Sequence, residues 1–376
     1  MKLLIISHTE HYLNDNGKVI GWEPTVREIN YLGQIFSKIY HIAPLHSNQK
    51  NKRSAISYEQ NIELIPIKPS GGKGLDKFTI LTTSFETLRK IGQYKSKVDY
   101  IHFRAPTGIG FTVLPYLKIF NNKKLWIKYA GNWMDSNMPS GNRFQKWWLN
   151  HMIAKTDVIT VNGNWDSQNV NIKAFENPCI LEKDRTLGAL AVEKKDLSGK
   201  INFCFVGALN EHKGVHLILE ALKGIKDTRL GEFHFVGGGN DFEKYKNISK
   251  GLEVKCVFHG FLPKDAIVDV YSKCHFIVLP SKNEGFPKVI SEGMNYGCVP
   301  VVSDVSAISQ YVKDKTNGLL ISTPITVDEL KGKIEEALSI ADDSFITMMK
   351  DNYALAENFT FKKYLYRLSN EIFVVD

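Results

Sequence analysis

At 376 residues with 43% hydrophobic side chains, the chain is too long for one ordinary core and fits two domains of about 150 to 200 residues each. No run approaches the roughly 18 apolar residues of a membrane span, Met1–His8 has no signal-peptide pattern, and the five Cys are odd in number, widely spaced and without a CxxC pair, so a reduced cytoplasmic protein is expected. The net charge of +8 is lopsided: residues 1–195 hold 27 Lys and Arg against 16 Asp and Glu, which points to a basic N-terminal surface facing something anionic, such as phospholipid headgroups or a phosphorylated acceptor, while no nucleic-acid motif accompanies it.

Along the chain, short β-branched or aromatic runs alternate with helical patterns, the signature of parallel sheets covered by helices. The first array has strands predicted at Leu3–Ser7, Ile39–Ala43, Ile62–Ile67, Asp99–Phe103, Leu125–Tyr129 and Val158–Val161. Between the first two lie a long loop, Glu10–Glu23, and a helix over Thr25–Phe36, where Thr25 and Glu28 suit a capping box. Gly131, Asn132, Trp133 and Asp135 follow a strand and are expected at a ligand cleft. Arg143, Phe144, Lys146, Trp147, Trp148, Met152 and Lys155 mix aromatic and basic groups on a helical pattern that suits either a membrane interface or core packing. Residues 182–200, rich in charge and poor in pattern, read as an exposed linker. The second array is predicted at Ile201–Val206, Phe233–Val236, Val254–His259, Phe276–Leu279, Pro300–Ser303 and Leu319–Ile321, and a last helix spans about Phe359–Phe373.

The chemistry concentrates after Phe276–Leu279, in the run from Ser281 through Glu284, Gly285, Phe286, Pro287, Lys288, Val289 and Ile290 to Glu292. Pro287 suits the first helical position, which aims the amides of Lys288 and Val289 at a phosphate. Glu292 follows one turn beyond Lys288, within reach of ribose hydroxyls, and Glu284 in the preceding loop suits sugar hydroxyls. Gly237–Gly238–Gly239 is not a dinucleotide fingerprint, because its spacing is wrong and no acidic residue follows the next strand.

An acidic residue, seven others and then Glu, followed here by Gly293, Met294, Gly297, Pro300 and Asn317–Gly318, resembles glycosyltransferase family four, the retaining group 1 enzymes of GT-B fold. Phe205–Val206–Gly207–Ala208–Leu209 with His212–Lys213–Gly214 resembles a second family element. The resemblance implies two Rossmann-like, doubly wound α/β domains facing across a cleft: 1–190 for the acceptor, 191–358 for the nucleotide sugar, and a C-terminal helix, 359–376, crossing back to the first domain. It implies a donor site of Gly21, Gly207, Lys213, Phe261, Leu262, Phe286, Pro287, Lys288, Val289 and Glu292, and a catalytic set of Glu284, His102, Arg104 and Lys213. The expected reaction moves a hexosyl group, with retention, from a UDP- or GDP-sugar to a glycan or lipid-linked saccharide, in surface polysaccharide synthesis, with possible contact to an anionic membrane. The chain has no Asp-x-Asp motif, so no metal and no other cofactor is expected. Ala208 stands where relatives carry Arg, leaving Lys288 or Arg104 to supply the missing cation. A sugar-nucleotide epimerase or phosphorylase on the same scaffold, and a non-catalytic nucleotide-sugar sensor, are the alternatives.

Overall fold

The computed structural model describes residues 1–47, 54–71, 79–135, 137–166 and 168–373. These form two compact units, Met1–Glu176 together with the chain from Leu365 onward, and Asn177–Tyr364. The last three residues of the expected terminal helix segment lie outside the described residues.

The first unit runs β1 (Lys2–Ile6), β2 (His11–Leu13), β3 (Val19–Trp22), α1 (Glu23–Leu32), β4 (Lys38–Pro44), β5 (Ala55–Ser57), β6 (Ile62–Ile67), α2 (Thr79–Tyr94), β7 (Tyr100–Ala105), α3 (Gly110–Phe120), β8 (Lys124–Tyr129), α4 (Ser140–His151), β9 (Val158–Val161) and β10 (Ile172–Ala174). Seven strands pair in parallel in the order β10-β9-β8-β7-β1-β4-β6. Central strands of such a sheet are covered on both faces, and Leu3 to Ile6 are accordingly all buried apolar residues. The order reverses around β1, whose neighbours are β4 and β7, so right-handed crossovers put α1 on one face and α2, α3 and α4 on the other. In this group α3 packs against both α2 and α4.

Two expectations for this unit are corrected. The loop Glu10–Glu23 is largely a hairpin, β2 against β3, extended by β5 into a small antiparallel sheet. Glu28 does not cap a helix: α1 begins earlier, at Glu23, and the Glu28 carboxylate is buried between Arg104 and Lys128.

The second unit runs α5 (Glu182–Glu193), β11 (Ile201–Val206), α6 (Val215–Leu222), β12 (Leu230–Val236), α7 (Phe242–Ser249), β13 (Cys256–Gly260), α8 (Lys264–Lys273), β14 (Phe276–Leu279), α9 (Lys288–Asn295), β15 (Val299–Ser303), α10 (Ile308–Tyr311), β16 (Leu319–Ile321), α11 (Val327–Ser339), α12 (Asp342–Ala356) and the first turn of α13 (Phe361–Glu371). Its six strands pair in parallel in the order β13-β12-β11-β14-β15-β16. Here the reversal falls between β11 and β14, so the loops leaving those two strands share the position where such sheets bind ligands.

The expected linker is the helix α5, packed on this unit, and the division between units falls at Glu176/Asn177. Its charges mislead because several are buried and partnered. Asp184 accepts the Leu181 amide at 2.8 Å and an ion pair from Lys264 at 2.8 Å. Arg185 donates to Asn295 Oδ1 and Tyr353 O, both at 2.8 Å. The buried Lys195 ammonium donates to three carbonyls, Tyr271 at 3.0, Cys274 at 2.7 and Tyr296 at 2.6 Å, which lie at the ends of α8 and α9. All five cysteines are free, and four are buried.

Candidate active site

Glycines shape the loop after β11. Gly214 has φ +75°, and a Cβ there would lie 2.2 Å from Pro280 O, so only glycine lets this loop cross the start of the β14 loop. Gly237 has φ +132°, and its Cβ would lie 1.9 Å from Gly207 O; the Gly237–Gly239 run is thus a tight turn stacked on the Gly207–Leu209 loop. Ahead of Gly214, Asn210 caps a short 3-10 turn, Glu211–Lys213, by accepting the Lys213 amide at 2.9 Å. The Lys282 amide donates to His212 O at 3.1 Å, joining the loops after β11 and β14 through their backbones. Across this junction the Lys213 ammonium and the Glu284 carboxylate form an ion pair, with side chains 25% and 12% exposed. The two residues predicted to handle diphosphate and sugar therefore come together, 71 positions apart in sequence.

Helix α9 starts at Lys288, one residue later than expected, with Pro287 as its extended N-cap. The amides of Lys288 and Val289 are then the first two of the helix and have no acceptor within it, which keeps them suited to an anion. The Lys288 side chain is committed elsewhere, donating to Pro178 O at 2.9 Å. Phe286 is engaged in packing: 7% exposed, it stacks on Phe359 at 4.9 Å and meets Tyr311 at 4.6 Å. Glu292 lies one turn into α9, where it accepts the Tyr271 hydroxyl at 3.4 Å. Burial raises its carboxyl above the ordinary range, against the pull of Lys264 and Lys288. Phe261, 58% exposed, follows the end of β13, and Leu262 packs against the small core beneath it. Ala208 is exposed in the β11 loop.

In the first unit, Gly21 lies in β3, and a Cβ there would meet His11 Cδ2 at 2.4 Å. The glycine is required by the packing of an imidazole, and no approach to a phosphate is needed to explain it. His102 and Arg104 share a face of β7, as alternation predicts. His102 is fully buried, stacked on Trp126 at 3.7 Å, with Nδ1 donating to Trp126 O at 3.1 Å. Desolvation, then Arg104, hold its imidazole neutral, well below its usual range. Arg104 is 14% exposed and clasps Glu28 through both terminal nitrogens, at 2.9 and 3.3 Å. Both cations expected to stand in for the one missing at Ala208 have protein partners, Lys288 in Pro178 O and Arg104 in Glu28. Gly131, Asn132 and Asp135 lie in the loop after β8, with Trp133 buried against Tyr129 at 5.0 Å.

Asn210 and Tyr271 escaped the sequence reading, and Glu28 was read only as a helix cap. Asn210 carried a signal, an Asn followed three residues later by the lysine whose amide it caps; the other two act through partners brought together only by the fold.

Two parallel-sheet Rossmann-like units, the second with a cation, a carboxylate and a helix N-terminus gathered at its switch point, are the architecture of GT-B glycosyltransferases. Residues 191–352 match the family model of the glycosyl transferases group 1. Among known proteins, the chain is 32% identical over 143 residues to an uncharacterised glycosyltransferase of Methanocaldococcus jannaschii, covering 38% of this chain and 39% of that one. It is 29% identical over 143 residues to the lipopolysaccharide 1,6-galactosyltransferase of Salmonella typhimurium, covering 36% and 39%. The chain thus spans about two fifths of the length of these curated relatives. In fold it is similar to the Anabaena protein HepE, solved in complex with UDP and glucose, with a TM-score of 0.67 at 14% identity over 98% of both chains.

Proposed function

We propose that this chain is a retaining glycosyltransferase of family four. It moves a hexosyl group from a UDP- or GDP-sugar to a hydroxyl of a glycan or lipid-linked saccharide, on the cytoplasmic face of a membrane, without a metal. The observation that carries this reading is the Lys213–Glu284 pair, set at the switch point of the second sheet beside the first amides of α9. A diphosphate inserted there gains the ammonium and the helix amides, while Glu284, released from Lys213, turns to sugar hydroxyls. The similarity to a lipopolysaccharide galactosyltransferase and to a UDP-binding fold supports the same reading.

In the proposed step, the bond from the anomeric carbon to the donor phosphate oxygen breaks while the acceptor oxygen bonds on the same face. The acceptor proton passes to the departing diphosphate. Lys213 and the amides of Lys288 and Val289 stabilise the charge gathering on that leaving group, and Glu292 holds the ribose. Arg104 is the first unit's candidate for the sugar or acceptor, with His102 beneath it as support. A panel of UDP- and GDP-sugars, read by thermal shift and by slow donor hydrolysis, tests the reading: one donor class is expected to stabilise the protein and be hydrolysed in EDTA. Hydrolysis lost in EDTA and restored by manganese would contradict the metal-free mechanism.

One observation favours a second reading. Ala208 offers no charge and the Lys288 side chain is tied to Pro178 O, so Lys213 meets the Glu284 loop without help from either position, which suits a sensor that binds the donor without turnover. Binding without hydrolysis or transfer to any acceptor tried would favour it.

A further inference from the structure

The helix layer α2, α3 and α4 of the first unit carries large apolar side chains on its outer face as well as on the face it packs against the core. Helix α2 faces its core with Thr83, Ser84, Thr87, Leu88 and Ile91, yet leaves Leu81 66% and Phe85 73% exposed one turn apart. A helix stabilised by core burial alone keeps such large apolar side chains on its inward face. Next to it, α3 exposes Phe111 (46%) and Ile119 (70%), eight residues apart and so on one stripe. On α4, Trp147 is 48% exposed, stacked on His151 and tilted against Phe144, whose ring in turn stacks on Phe111 at 5.2 Å. The remaining tryptophan of the pair, Trp148, packs against the core, as the packing reading of this helix expects, while Trp147 stays outside it.

Cations continue the same stripes. Arg89 follows Leu81 and Phe85 at helical spacing, Lys118 precedes Ile119, and Arg143 lies one turn before Trp147. The layer's one carboxylate, Glu86, is paired with Lys90 at 3.2 Å. Large apolar groups ringed by cations, on three adjacent parallel helices, match the chemistry of a bilayer surface bearing anionic lipid: rings and aliphatic chains enter the acyl boundary while Arg and Lys meet the headgroup phosphates. No described helix is long and apolar enough to cross a membrane.

We infer that the outer surface of α2, α3 and α4 is a docking face for an anionic bilayer. This deepens the membrane part of the proposed function without depending on the transfer chemistry. The test is flotation of the full chain with vesicles of phosphatidylcholine alone and with about one third phosphatidylglycerol, at low and high salt. Wild type is expected to float with the anionic vesicles and to be released in part by salt. Phe85→Asp and Trp147→Asp are each expected to weaken flotation about tenfold or more, the order of effect for withdrawing one large apolar side chain from a bilayer. Arg89→Glu with Arg143→Glu should abolish the preference for anionic lipid. Circular dichroism and donor-induced thermal shift, unchanged in these variants, establish that they are folded. Absence of wild-type flotation, or variants that float as well as wild type, would overturn the inference. So would a lipid-free dimer dissolved by Phe85→Asp, which would make the face an interface between two copies.

Discussion

Replacing Gly214 by Ala isolates the junction on which the proposed donor site depends. An alanine at φ +75° costs about 1–2 kcal/mol from backbone sterics alone. Its Cβ would lie 2.2 Å from Pro280 O, a backbone atom that must retreat by about 1 Å to reach ordinary contact, so the total penalty is about 2–5 kcal/mol. The control is Gly332→Ala, in the same unit: that glycine sits inside α11 with nothing within 4 Å of an added Cβ, and alanine there should stabilise by about 0.5–1 kcal/mol. Thermal unfolding of the second unit should therefore move down for one Gly→Ala change and up for the other. Donor hydrolysis should fall more than about tenfold only in Gly214→Ala, because Pro280 leads into the loop that carries Glu284 to Lys213. A Gly214→Ala protein with unchanged unfolding temperature and full hydrolysis would refute the reasoning.

Lys213→Met should cost about 10²-fold or more in donor hydrolysis with a modest change in stability, since the pair it breaks is partly solvated; equal activity in the variant would remove the leaving-group role. Phe286→Ala should destabilise the second unit by about 3–5 kcal/mol, because its ring fills the space between Tyr311 and Phe359; a neutral result in urea unfolding would mean the ring does not pack there. Acid should unfold the first unit. Burial holds His11 down to about 4 and His41 well below its usual range, so between about pH 6.5 and 4 the unfolded chain binds protons that the native chain does not. The stability these neutral histidines provide is present above 6.5 and lost as the pH falls toward 4, about 3 kcal/mol for His11 alone. Circular dichroism melts from pH 7 to 4.5 check it, and a His11→Gln variant with the same acid profile would count against it.

The strands were legible because buried parallel strands are continuous apolar runs: Ile62–Ile67, Val158–Val161, Ile201–Val206, Phe276–Leu279 and Leu319–Ile321 form with the expected ends. The loop and helix start proposed as the donor site were legible for a different reason, since Glu284 through Glu292 is one local segment whose spacing carries its geometry. Where charge was read as exposure the reading failed. Asp184 and Lys195 made residues 182–200 look like a linker, yet both are buried because helix ends and an ion pair satisfy them. Partnerships across the sheet were equally invisible: nothing local to Arg104 announces Glu28, and nothing near Gly21 announces the imidazole of His11. The apolar outer face of α2 was missed because its exposed Leu81 and Phe85 have the periodicity of a core face, and which face is inward is decided by the neighbours.

The central claim is that Glu284 and Lys213 form a donor site that turns over. Its most direct test is donor hydrolysis and transfer by wild type and Glu284→Gln with whichever of the UDP- and GDP-sugars stabilises the wild-type protein. The account predicts that Glu284→Gln is still stabilised by the bare nucleoside diphosphate but loses about 10²-fold or more of its turnover. Full turnover in Glu284→Gln, or no stabilisation of wild type by any nucleotide sugar, would contradict it.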